Sequence, residues 1–239
     1  MLIKNDLFDY KNRYIYQDTE LFKFSLDSIL LAEFVDKKFK NKKIIDLCTG
    51  NMSIPLILST YTSEKIVGFE IQKQVYNLGI DSIKLNKLED QLQIINDDIK
   101  NINKYYKNDY FDIMICNPPF FKTTENSHIN IKEELSIARH EIKITLEDIF
   151  NIAKTYLNNK GCLYIVHRVE RLDEIVYLGY KYQINVKKIQ FISTKEGEKP
   201  YILLIKAVKG SKPGVKVNSI ICIENVKTYQ NIFKEEEWN

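Results

Sequence analysis

Short apolar runs alternate with longer amphipathic stretches along most of this chain. The run at 43–48 predicts a first buried strand, and 65–71, 92–96 and 111–116 predict the next three. A helix is expected over 53–60. Another is expected over 72–87, where Val75, Leu78, Ile83 and Leu85 mark an imperfect apolar face. Upstream, Ser25 can cap a helix carrying Leu26, Ile29, Leu30 and Phe34. Beyond the fourth strand the pattern fades, and the polar stretch 122–132 reads as a mobile lid rather than a core element. It resumes as a helix over 146–157, a fifth strand over 161–167 and a helix over 169–178. Two closing strands follow at 186–193 and 201–208, joined by a turn at 195–200, and 217–223 suggests one strand more. Strands alternating with helices predict an α/β fold with a mostly parallel sheet covered on both faces.

At 239 residues the chain suits a single domain. It divides into an N-terminal segment (1–40), a core (41–208) and a C-terminal extension (209–239). No apolar run approaches the roughly 18–20 residues that span a bilayer. The first residues lack the apolar core of a signal peptide, so a cytoplasmic protein is expected. Cys48, Cys116, Cys162 and Cys222 are widely spaced and have no neighbouring histidine, which argues against a metal site and a disulfide framework. The net charge of +3 is a weak nucleic-acid signal, but its distribution is uneven. Lys187, Lys188, Lys195, Lys199, Lys206, Lys209, Lys212 and Lys216 face only Glu196 and Glu198 in their stretch. That run is either a phosphate-attracting surface or a solvated lysine-rich one.

Candidate chemistry gathers at strand ends. Asn117-Pro118-Pro119-Phe120 follows the fourth strand, where open α/β sheets place ligands. An amide, a rigid diproline and an aromatic ring there suit the gripping of a planar amino group. Asp46 and Gly50 flank the first strand-to-helix junction, Glu70 ends the second strand, and Asp98 follows the third. Each has a plainer alternative: a tight turn for Asp46 and Gly50, a helix-dipole charge for Glu70, a helix cap for Asp98, a core aromatic for Phe120. Their order along successive strands points to one crevice.

On those residues the chain resembles the class I S-adenosylmethionine-dependent N-methyltransferases, and more narrowly the bacterial tRNA adenine-N6 methyltransferases acting just 3′ of the anticodon, at position 37. The segments 22–31, 117–122, 138–141 and 209–214 fit the narrower group, so the likeness spans nearly the whole chain. It implies a Rossmann-like, seven-stranded sheet with an antiparallel C-terminal strand, and S-adenosyl-L-methionine as cofactor. Asp46, Cys48 and Gly50 would line the methionine side, Glu70 the ribose, Asp98 the adenine, and Ser25 and Asp27 would close over the methionine end. For Ser25 and Asp27 a simple helix cap is the other reading. Asn117 and Pro118 would accept the N–H bonds of the target amine, with Pro119 holding the turn and Phe120 stacked on a flipped base. Lys122, Arg139, His140, Arg168, Lys187, Lys188, Lys209 and Lys212 would meet RNA, or be solvated surface. One departure stands out: Cys48 and Met52 replace glycines of the family's loop, and the Met52 side chain is expected to narrow the crevice.

The resemblance implies methyl transfer to adenine N6 in tRNA, with no metal and no membrane; monomer and homodimer are both open. Ribosomal RNA guanine-N2 and release-factor glutamine methylation stand as alternatives, because a glutamine amide presents the same planar N–H pair. A non-enzymatic RNA-binding module with a vestigial pocket is the third.

Overall fold

The computed structural model describes residues 2–7, 10, 12–18, 25–118, 144–230 and 232–233. Within them the chain runs β1 (Leu2–Asp6), β2 (Tyr14–Asp18), α1 (Leu26–Phe34), β3 (Ile44–Asp46), α2 (Ser53–Leu58), β4 (Ile66–Phe69), α3 (Lys73–Leu85), β5 (Leu92–Ile95) and β6 (Phe111–Cys116). It continues through α4 (Leu146–Tyr156), β7 (Leu157–Arg168), α5 (Leu172–Lys181), β8 (Ile184–Ser193), β9 (Ile202–Lys209), β10 (Lys216–Val217) and β11 (Ile221–Cys222). The main sheet has the order β10-β8-β9-β7-β6-β3-β4-β5, with β11 also paired to β8. Strands β3 to β7 pair in parallel, and β9 runs antiparallel between β7 and β8. The chain leaves β3 toward β4 and β5, then returns to place β6 on the other side of β3. That reversal opens a crevice at the carboxyl ends of β3 and β6.

Both faces of the sheet are covered, which is why its strands read as unbroken apolar runs. Ile44 and Ile115 enter one core with Ile29, Leu30 and Leu204, while their neighbours Ile45 and Met114 enter the other with Phe69, Phe150 and Ile165. The expected antiparallel strand is β9. The expected strand at 217–223 is instead two short pairings, β10 and β11, each parallel to β8.

The β1–β2 hairpin has no counterpart in the hydrophobic pattern. Side chains hold it in place. Asn86 Nδ2 donates to the Tyr14 carbonyl at 2.7 Å, and Asn86 Oδ1 accepts from the Tyr14 N–H at 2.9 Å. Ser82 Oγ accepts from the Tyr16 N–H at 2.9 Å. A groove of about 640 Å³ opens at the amino ends of β3, β4 and β5, lined by Ile44, Ile66, Lys84 and Tyr110 among others. It lies at the opposite end of the sheet from Asn117.

The turn after β3 depends on a missing side chain across from it. A Cβ at Gly68 would lie 2.6 Å from Thr49 Cγ2, 2.7 Å from Thr49 Oγ1 and 2.8 Å from Met52 Sδ. Gly68→Ala should therefore destabilise the fold by about 1–3 kcal/mol through overpacking. Denaturant unfolding measures it, and an unchanged midpoint would show that the turn gives way freely.

Candidate active site

Asp46 closes β3 and is fully buried. Neither carboxylate oxygen has a hydrogen-bond partner. The Thr49 hydroxyl lies near enough to favour the charged form but donates to Met52 Sδ at 3.3 Å. Burial pushes the Asp46 carboxyl up to about 7, and the neighbouring Glu70 charge adds to the rise. Gly50 turns the chain with φ of +60°, and a Cβ added there would meet nothing within 4 Å, so the backbone borders open space. Met52 also takes a left-handed conformation, with φ of 71°. Its side chain does not narrow the crevice as expected. It is wholly buried, and it packs where Gly68 and Gly79 leave room for it. Asn51 Nδ2 donates to the Tyr16 carbonyl at 2.9 Å, fastening the loop to the N-terminal hairpin.

Glu70 follows β4 and is buried. Its Oε2 accepts from the Gly50 N–H at 3.0 Å and its Oε1 from the Gln72 N–H at 2.8 Å. Burial nevertheless raises its carboxyl to about 7, against these backbone donors. Asp98 is a cap: one oxygen accepts from the Lys100 N–H at 2.9 Å at the start of a short 3₁₀ turn. Asp97 beside it is drawn instead to Asn101 and Tyr105.

Asn117 stands half-buried just past β6. Its Nδ2 donates to Ser28 Oγ, in α1, at 2.9 Å. That bond brings the N-terminal helix to the crevice and fixes which edge of the amide faces α1. Ser28 lies in one of the segments that carried the resemblance but had no role there. The available signal was a small polar residue buried on the helix beside Ile29 and Leu30. Ser25 occupies the N-cap position of α1, yet its side chain makes no capping bond to the backbone. It hydrogen-bonds the Asp27 carboxyl instead. Burial pushes that carboxyl up, opposed by the Arg168 charge and by Ser25. Arg168 ends β7, with its guanidinium 5.7 Å from the centre of the Tyr201 ring. Cys48 and Cys116 face each other beneath Asn117, their sulfurs 3.9 Å apart.

The lysines do not share one patch. Lys209 Nζ donates to Asp109 Oδ1 at 2.7 Å and to the Leu157 carbonyl at 2.6 Å, at the amino ends of β6 and β7. Lys187 Nζ donates to the Lys212 carbonyl at 3.1 Å, near that same end. Lys188 Nζ sits 5.1 Å from the centre of the Phe34 ring. Of that lysine run, Lys195 and Lys199, exposed in the turn between β8 and β9, come to the crevice end. Pro119, Phe120, Lys122, Arg139 and His140, and the expected lid at 122–132, lie outside the described residues. Among the described residues no cluster of three or more His, Cys, Asp and Glu could hold a metal ion, and no helix is long and apolar enough to cross a membrane.

Asp46 and Glu70 set a pH dependence. Both carboxyls are raised to about 7 in the folded protein, so between about pH 4 and 7 the fold keeps protons that the unfolded chain has released. Stability should fall as pH rises through that window and level off above it, by roughly 1.4 kcal/mol per pH unit for each proton held. Unfolding midpoints at pH 5 and 7.5 measure this, and Asp46→Asn should flatten the slope; an identical slope in that variant would contradict the assignment.

A family model described as methyltransferase small domain matches residues 23–176. A tRNA1(Val) (adenine(37)-N6)-methyltransferase of Actinobacillus pleuropneumoniae is 23% identical over 236 residues, covering 98% of this chain and 96% of its own. A protein of the same name from Trichodesmium erythraeum is 28% identical over 197 residues, covering 79% and 80%. The structure of M. jannaschii TYW2 in complex with AdoMet superposes with a TM-score of 0.57 at 13% identity, over 87% of this chain and 85% of that one. With a Rossmann-like sheet, a strand-order reversal and acidic residues at successive strand ends, the chain belongs to the methyltransferase small domain family.

Proposed function

We propose that the protein transfers a methyl group from S-adenosyl-L-methionine to the exocyclic N6 of an adenosine in the tRNA anticodon loop, at position 37. The observation that carries this reading is the Asn117 amide, held by Ser28 at the carboxyl end of β6 beside the Asp46–Glu70 crevice. The whole-length similarity to tRNA adenine-N6 methyltransferases supports the choice of substrate.

The crevice fits the cofactor. Asp46 has two orphaned, buried oxygens that call for a donor, and the space beside Gly50 is open. Glu70, with both oxygens near the loop, suits the paired ribose hydroxyls, and Asp98 lies one strand further on for the adenine. Ser25 and Asp27, on α1, stand by the methionine end. When bound, the cofactor supplies an electrophilic methyl group on sulfur.

Asn117 and Pro118 do the positioning. Because Ser28 takes the amide N–H, Asn117 Oδ1 is the edge left to accept from the target amine, and the Pro118 carbonyl accepts the second N–H. An adenine amine is a poor nucleophile because its lone pair is delocalised into the ring. Two acceptors placed for the developing ammonium draw the nitrogen toward tetrahedral geometry and turn the lone pair outward. Asn117 Oδ1 and the Pro118 carbonyl would hold the nitrogen as it gains its new bond, and the ammonium proton would then pass to water. Phe120 stacks on the flipped base. On the phosphate side, Arg168, Lys195 and Lys199 form the RNA face at the crevice end, while Lys209 serves as a structural ion pair.

Nucleoside mass spectrometry decides among substrates. Incubation with unmodified tRNA, ribosomal RNA and release factor should yield N6-methyladenosine in tRNA alone; label confined to ribosomal RNA or to release factor would overturn the proposal. Asn117→Ala should lower the rate by about 100–1,000-fold, the scale for loss of a preorganised transition-state contact, with cofactor affinity nearly unchanged by calorimetry. Glu70→Ala should instead weaken cofactor binding. Charge reversal at Lys195 and Lys199 should weaken tRNA binding and reduce its salt slope by about one per residue, whereas reversal at Lys212 should leave the slope alone.

A further inference from the structure

Two thiols meet where the crevice opens, packed against the core that holds Ile45 and Met114. Cys48 follows β3 and Cys116 ends β6, the neighbouring strands at which the sheet order reverses. Their sulfurs stand 3.9 Å apart, with the Cys116 thiol donating to Cys48 Sγ. Cys116 is fully buried and Cys48 half-buried, so a small reagent meets Cys48 first. Burial and the neighbouring thiol push Cys116 well above the ordinary thiol range, which keeps its proton on at neutral pH. A disulfide requires sulfurs about 2.05 Å apart, so roughly 2 Å of approach is needed. Cys48 lies just past the last paired residue of β3, between the Leu47 N–H, which donates to the Ile115 carbonyl at 2.9 Å, and the Thr49 N–H, which donates to the Phe69 carbonyl at 2.9 Å, so the approach begins with side-chain rotation rather than with backbone movement.

We propose that Cys48 and Cys116 form a redox modification site, in which a peroxide converts the dithiol to a disulfide that closes down the crevice. The Cys48 thiolate attacks one peroxide oxygen and breaks the O–O bond, giving a sulfenic acid and a hydroxide that takes up a proton as water. The Cys116 sulfur then attacks the sulfenic sulfur. The S–O bond breaks, and hydroxide leaves with the Cys116 proton as a second water. In sum the dithiol loses two electrons and two protons, and one peroxide becomes two waters. The new bond pulls the Gly50 turn and the residue just before Asn117 toward each other. The effect on catalysis rests on the function proposed above; the bond itself does not.

The full-length protein is treated with hydrogen peroxide, quenched, alkylated with iodoacetamide and digested without reductant. Expected is a cross-linked peptide pair joining Cys48 to Cys116, absent from Cys48→Ser and Cys116→Ser, with Cys162 and Cys222 alkylated. Alkylation of both crevice cysteines, or oxidation of Cys48 beyond the sulfenic stage without a link, overturns the proposal. S-adenosyl-L-methionine should slow the cross-linking by shielding Cys48. Because an about 1 Å misplacement of a positioning group can lower a rate roughly 100-fold, the oxidised protein should lose methyl transfer on that scale and dithiothreitol should restore it. A cross-linked protein with undiminished transfer would overturn the crevice-closing effect. Reduced protein inactive on every RNA would instead overturn the function, while the peptide map still answers for the bond.

Discussion

The placement of β3 between β4 and β6 is the constraint on which the crevice depends. The chain leaves β3 toward β4 on one side and β6 toward β7 on the other, and that divergence opens the crevice at the carboxyl ends between them. Several candidate groups arrive there by strand direction: Asp46 from β3, Glu70 from β4, Cys116 and Asn117 from β6, Arg168 from β7. The two cores on either face hold the strands rigid, so these groups are presented by the sheet rather than by mobile loops. From outside the alternating pattern come α1, tied in by the Asn117–Ser28 bond, and the β1–β2 hairpin, tied in by Asn51.

Buried parallel strands leave a strong imprint on a sequence, and the prediction of 111–116 coincides with β6 for that reason. The β1–β2 hairpin left none. Its strands are only partly buried, and its fixing contacts are hydrogen bonds from Asn86 and Ser82, which have no period to read. Asp46, Glu70 and Asn117 were legible as strand-end polar residues. What the sequence could not convey was direction. The lysine-rich stretch looked like one surface, yet β9 runs antiparallel and carries Lys209 to the end of the sheet away from Asn117. Met52 is a comparable case: a departure from a glycine pattern suggested a narrowed crevice, but the left-handed turn sends the side chain into space that Gly68 and Gly79 leave open.

Asp46 and Glu70 also explain why such a crevice is strained without a partner. Two carboxyls, both raised to about 7 mainly by burial, sit close enough for one charge to oppose the other. Glu70 relieves part of this by accepting from the Gly50 and Gln72 backbone; Asp46 has no such outlet. A ligand bringing hydroxyl or ammonium donors supplies what both lack, and so favours their ionised forms. By linkage, binding of such a ligand releases protons near neutral pH and strengthens as pH rises toward the two carboxyls' range, the opposite sense to the stability of the ligand-free fold. On the proposed assignment, the same carboxylates that weaken the fold as they ionise are the groups that hold the cofactor, so the site gives up stability where it gains affinity.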